Sequence, residues 1–233
     1  MKRHNAELLL VAVTILWGGT FAVVKTAMVD VSPSMFVLLR FAIATVVALA
    51  LWPRSLRSID RDTMSKGLAL GVLYGVGFLL QTIGLTMTSA SSSAFITGTM
   101  VVFVPLVPRV VAGARIRQNH VFSIILVLIG LWLFTSPESE GVNLGDVLTL
   151  FSAILWAVYL TYIDVWTTAM REDTHRQNAL VILQFAATVI LSGIGVGFDV
   201  SQGTTVHVTF DRELILGLVY CGIFASVIPT FVQ

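Results

Sequence analysis

The chain has 233 residues, a mean hydropathy of +0.91 and charged side chains at only 12% of positions, far outside soluble globular usage and within the range of proteins that cross a bilayer several times. A net charge of +1, with no basic cluster outside short loops, excludes a nucleic-acid surface. The single cysteine, Cys221, excludes an intrachain disulfide and a cysteine-built metal site.

Apolar runs long enough to cross about 30 Å of hydrocarbon at about 1.5 Å per residue occur in chain order at Leu8–Met28, Met35–Trp52, Gly67–Met87, Ala94–Ala112, Val121–Phe134, Val147–Val165, Ala179–Phe198 and Leu214–Val232. Eight helices are expected. The first run has the basic flank of a signal peptide, but it continues to Met28 without a small-x-small cleavage site, so it reads as a retained helix. The fourth is interrupted by Pro105 and Pro108; the fifth is short and borrows His120 and Thr135–Ser136. Ser32-Pro33 supplies a cap and a first-turn proline, while Ser136-Pro137 and Asn143 to Asp146 bracket a polar loop.

With the N-terminus in the cytoplasm, Lys2, Arg3, Arg54, Arg57, Arg61, Lys66, Arg109, Arg115, Arg117, Arg171 and Arg176 fall on the inner side and only Arg212 falls outside. That bias orients the chain. Lys25 and Arg40 remain inside spans.

The chain also matches itself. ILWGGTFAVVK at 15–25 aligns with ILWAVYLTYID at 154–164, LLRFAIATVV at 38–47 with ILQFAATVIL at 182–191, and GVLYGVGF at 71–78 with GLVYCGIF at 217–224. Trp17 lands on Trp156, Arg40 on Gln184, Tyr74 on Tyr220 and Phe78 on Phe224. A repeat unit of five spans is odd, so its second copy enters the membrane from the opposite face, the inverted-repeat build of many secondary transporters. The expected fold is an all-α polytopic membrane protein, with one repeat over 1–136 and a second, incomplete one over 145–233. The second copy stops after three spans at Gln233. This reading expects a fragment of a ten-span protein, and a natural eight-span chain is the alternative.

WGGTFAVVK (17–25), SPSMFVLLR (32–40), GLTMTSASSSAFITGTMVVFVPL (84–106) and GDVLTLFSAILWAVYLTY (145–162) together resemble EamA-type proteins of the drug/metabolite transporter superfamily. The resemblance implies a ten-helix bundle of two inverted five-helix repeats in the bacterial inner membrane, exporting amino acids or related amphipathic metabolites. AGARIRQ at 112–118 departs from the glycine-acid pair common after the family's fourth helix.

Helical spacing selects the candidate site. Trp17 and Phe21 share one face, as do Tyr74, Phe78 and Gln81; Trp156 with Tyr159, and Tyr220 with Phe224, repeat the pattern. Aromatics near mid-span either pack or line a substrate cavity, and their recurrence favours the cavity. Gln81 must bond a neighbouring helix or face that cavity. Arg40 can snorkel, bond helix-end carbonyls or meet an anionic substrate group, with a structural or gating role preferred over direct binding. Lys25 is read as the outer rim of an access path and Pro105 as a pivot. Gly67, Gly71 and Gly75 form a small face for close packing. Asp164 is read as a solvated carboxylate near an interface, and His4, His120, His175 and His207 fall at loops, where they form neither a metal site nor a relay.

The leading class is a secondary transporter acting on a small-molecule substrate in the lipid bilayer, by proton coupling or facilitated flow, without cofactor, metal or enzymatic activity. A membrane-embedded lipid enzyme would need an interfacial His/Asp or Ser/His cluster. A non-transporting receptor or assembly module would bind ligand without flux.

Overall fold

The computed structural model describes residues 3–112, 118–135 and 142–232. Every one of the eight apolar runs is helical. They form α1 (Arg3–Ala27), α2 (Pro33–Leu51), α3 (Arg61–Met87), a fourth crossing broken into α4 (Ala90–Gly98), α5 (Met100–Phe103) and α6 (Leu106–Ala112), α7 (Gln118–Thr135), α8 (Leu144–Ala169) and α9 (Thr174–Ser201). The last crossing is α10 (Arg212–Val219), a π-helical segment Tyr220–Val227 and α11 (Ile228–Val232). Among the described residues, six stretches are long and apolar enough to cross a membrane: α2, α3, Ala90–Val110, α8, α9 and Arg212–Thr230. The shorter apolar stretch Val11–Ala27 lies in α1, and the 18 residues of α7 reach about 27 Å at about 1.5 Å per residue. Residues 113–117, within the divergent AGARIRQ motif, and the Ser136-Pro137 turn lie outside the described residues.

Polar caps set the helix starts. Pro33 occupies the first turn of α2, where its missing N–H costs nothing. Asp60 accepts from Thr63 N at 2.7 Å, so α3 begins at Arg61, ahead of the apolar run; that backbone bond, with the Thr63 hydroxyl, holds the Asp60 carboxyl below its usual range. Asn143 and Asp146 form a reciprocal capping box on α8.

The loops gather at two ends. At one end, Ser32 N donates to His207 O at 3.1 Å and Thr209 N to Asp30 O at 2.8 Å, joining the α1–α2 and α9–α10 connections. Thr88 Oγ1 donates to Asp146 there, at 2.6 Å. At the other end Arg176 reaches Thr63 Oγ1 at 3.0 Å and Asp62 at 3.1 Å, joining the α2–α3 and α8–α9 connections.

α3 is the central helix, packed along its length against both α8 and α9. In lipid the hydrophobic effect gives helices little reason to associate, so close van der Waals packing over small residues takes its place. Gly67, Gly71 and Gly75 face α9: a Cβ at Gly67 would lie 2.6 Å from Leu183 Cβ, and one at Gly71 would collide with Ala187 Cβ and stand 3.0 Å from the Gln184 backbone. A second small face, Gly77 and Gly84, serves α8, where a Cβ at Gly84 would lie 2.7 Å from Gly145 O. Outward positions such as Val46, Ile190 and Ile194 are exposed, as a lipid-facing surface requires.

Gly71→Val and Gly84→Val are expected to destabilise the bundle by about 1–3 kcal/mol each, lowering the thermal unfolding midpoint in detergent. Gly130→Val, with nothing within 4 Å of its Cβ position, leaves that midpoint within error. Equal midpoints for all three variants would show that α3 does not depend on close approach.

Candidate functional site

Three of the four faces read from helical spacing converge on one cavity of about 680 Å³, counting its open mouth. α1 contributes Trp17 and Phe21, α3 contributes Tyr74, Phe78 and Gln81, and α8 contributes Trp156 and Tyr159. Tyr74 is the central residue of α3 and Trp156 lies at the middle of α8, so the cavity sits at mid-depth in the bundle. The rings meet edge to face: Tyr74 and Trp156 centroids are 5.1 Å apart at 76°, Phe78 and Trp156 are 4.7 Å apart at 89°. Such pairs hold one another in fixed orientations. Gln81 does both things open to it, lining the cavity while its Nε2 donates to Thr97 Oγ1 of α4 at 3.1 Å.

Arg40 of α2 also lines this cavity and is only 4% exposed. Its Nε and Nη2 donate to Ser226 Oγ at 3.1 and 3.0 Å, and its guanidinium lies 4.4 Å from the Phe78 ring centroid. Placing a guanidinium at membrane mid-depth costs about 2.5–3.5 kcal/mol on insertion scales. A charged hydrogen bond returns about 1.5–3 kcal/mol, and a desolvated ring contact about 2 kcal/mol. The side chain is therefore held in place by neutral groups. Among the described residues no carboxylate pairs with it.

Ser226 is presented by an irregular backbone. Over Tyr220–Val227 the last crossing winds as a π-helix, a form that occurs mostly as short insertions, frequently at functional sites. Ser226 Oγ donates to Cys221 O, five residues back, at 2.7 Å. Pro229 has no N–H to offer the carbonyl four residues before it, that of Ala225. Trp17 Nε1 takes that carbonyl at 3.0 Å. The proline thus frees an acceptor at the cavity wall, and the tryptophan of α1 uses it.

Tyr220, expected on the cavity wall, lies elsewhere, and Lys25 and Pro105, expected on an access path, are outside the wall. Tyr220 is on a separate groove between α1 and α10, and its hydroxyl donates to Leu16 O at 2.8 Å. Lys25 does not line the cavity either; its ammonium donates to the carbonyls of Leu85 and Thr88 at 2.7 and 2.8 Å, and to Thr86 at 3.4 Å. Those are the orphan acceptors at the C-terminus of α3, so the lysine caps a neighbouring helix through charge and dipole. Pro105 falls at a real break between α5 and α6 but outside the cavity wall, and a second break at Thr99 leaves Met100 and Thr97 on it. Asp164 is exposed, as the sequence suggests.

Ser226, Thr20, Met100, Pro229 and Thr230 are lining positions that the sequence reading does not select. A signal existed in the last helix: Ala225, Ser226, Pro229 and Thr230 are polar or small at helical spacing, whereas the aromatic pair chosen there points away, with Phe224 exposed.

The family model for EamA-like transporters matches residues 4–136. The chain belongs to the EamA-like transporter family. An uncharacterized transporter of Archaeoglobus fulgidus is 30% identical over 233 residues, covering all of this chain and 70% of that protein. A probable amino-acid metabolite efflux pump of Escherichia coli is 23% identical, covering 98% of this chain and 76% of that one. A solved crystal structure superposes with a TM-score of 0.70 at 18% identity, covering 99% of this chain and 78% of its own, a likeness of fold. Membership makes this a multi-pass membrane protein of a small-molecule transporter family.

Lys25→Met is expected to lower the thermal midpoint, because the last carbonyls of α3 lose a charged donor worth about 1.5–3 kcal/mol. Solute affinity per folded molecule stays unchanged. A loss of affinity at unchanged stability would return Lys25 to the solute path.

Proposed function

We propose that the chain is a secondary transporter that moves small amphipathic metabolites, amino acids or related compounds, outward across the inner membrane by alternating access. The observation that carries this is the mid-depth cavity, walled by rings and carrying a few convergent polar groups, the usual build of a small-molecule site. Apolar walls desolvate an amphipathic solute, and Gln81, Thr97, Thr20 and Arg40 orient its polar end.

The contact pattern supports an inverted duplication of 1–136 and 145–233. α2 packs on α9; α3 packs on α9 and α8, and the corresponding last crossing, α10 with its π-helical segment, packs on α2 and α1. Exchanging the halves maps each pairing onto another. Rocking of one half against the other about a fixed central site is the motion such symmetry allows. The discontinuities at Thr99, Val104–Pro105 and Tyr220–Val227 border or approach the cavity and supply places where backbone geometry can change at low cost.

Cytoplasmic placement of the N-terminus is supported by charge. Arg54, Arg57, Arg61, Lys66, Arg171 and Arg176 gather at the α2–α3 and α8–α9 end, while Arg212 lies at the opposite one.

In proteoliposomes, Trp17→Ala and Tyr74→Ala are expected to cut counterflow of radiolabelled phenylalanine or phenylacetate at least tenfold, with insertion and elution profile retained. Wild-type flux from both variants overturns the cavity assignment.

A further inference from the structure

We propose that the cavity recognises an amphipathic organic anion, a carboxylate on an apolar or aromatic body, and that Arg40 binds the carboxylate directly. This rests on the transport reading only for the cavity's role, and it narrows the solute to one charge class.

A guanidinium carries five N–H donors. Two of them meet the single Ser226 Oγ, and among the described residues the other three have no protein acceptor. Ser226 Oγ can accept no more, because those two bonds take both of its lone pairs while its own proton goes to Cys221 O at 2.7 Å. The planar fork matches a carboxylate in two parallel bonds. Arg40 is also the one charged residue on the described cavity wall. A buried charge of one sign, held by neutral neighbours and opening into a cavity, is completed by a solute of the opposite sign.

The rest of the wall agrees. Trp156 lays its ring on the wall while its Nε1 is buried toward Gly77 of α3, so it offers an apolar face to the solute. The remaining surface is dominated by rings that suit an apolar body. An ammonium group would find no carboxylate on the described wall, so a zwitterion's cationic end gains less there than its anionic end. The internal repeat places Gln184 opposite Arg40, and Gln184 is fully buried against Tyr159 Oη at 3.2 Å. One half of the molecule therefore holds a charge that the other lacks.

The test is calorimetric titration of the purified full chain with four probes that share a benzyl body and differ in the polar end: phenylacetate, phenylacetamide, 2-phenylethylamine and phenylalanine. Phenylacetate is expected to bind at least tenfold more tightly than the amide or the amine, and more tightly than phenylalanine. Arg40→Gln is expected to bring phenylacetate to the affinity of the amide, with Arg40→Lys intermediate. The wild-type panel decides without a variant should Arg40→Gln fail to fold. Amide or amine affinity equal to that of phenylacetate, or no binding by any probe, overturns the anion assignment. Counterflow of whichever probe binds separates the two readings: an anion that binds without exchange contradicts transport and keeps the Arg40 site, whereas exchange of the amine alone does the reverse.

Discussion

The structure depends on how closely α3 approaches its two neighbours. Lipid tails are as apolar as the side chains they touch, so a bundle in a membrane is held by contact area and by satisfied polar groups. Glycines at 67, 71 and 75 let α3 approach α9 closely, and Gly84 lets it meet the backbone of α8 at Gly145. With two faces spent on packing, the remaining face of α3 carries Tyr74, Phe78 and Gln81 toward α1 and the last crossing. The position of the cavity follows from the positions where α3 lacks a side chain.

The polar chemistry of the site comes from broken helical regularity. Mid-membrane backbone is normally saturated by its own hydrogen bonds, and deviations persist where a cavity or a neighbour satisfies the freed groups. Here Pro229 releases the Ala225 carbonyl to Trp17, and the π-helical turn places Ser226 where it accepts from Arg40. Several hydroxyl groups elsewhere are tied back to their own helix, as with Thr188 to Gln184 O and Ser192 to Thr188 O, both at 2.8 Å. Arg40, on the cavity wall, is left with donors to spare.

Much of this was legible in the sequence, for identifiable reasons. Hydrocarbon thickness fixes span length, so all eight helices could be marked, and an aromatic pair at helical spacing on α1, α3 or α8 had to share a face. What was hidden concerned pairings between helices. Nothing near Lys25 reveals that the end of α3 lies beside it, so its bonds to the α3 carbonyls are not legible from the chain alone. Ser226 is one serine among many until Arg40 is placed against it. On the last helix Tyr220 and Phe224 stand out as rings at helical spacing, while the more useful signal is Pro229, which leaves the Ala225 carbonyl free for Trp17.

The proposed transport site requires the ring-walled space to be a solvent-reachable chamber for solute and not an aromatic packing core. Single cysteines placed in a Cys221→Ala background test it directly, one at Thr20 on the cavity wall and one at Val46, which is 66% exposed on the outer surface. In reconstituted protein the Thr20 position is predicted to react with a small membrane-impermeant thiol reagent and to be protected by a bound aromatic solute, while the Val46 position, facing lipid, stays unreactive. A Thr20 position that is inert, or that reacts equally with and without solute, would contradict the account.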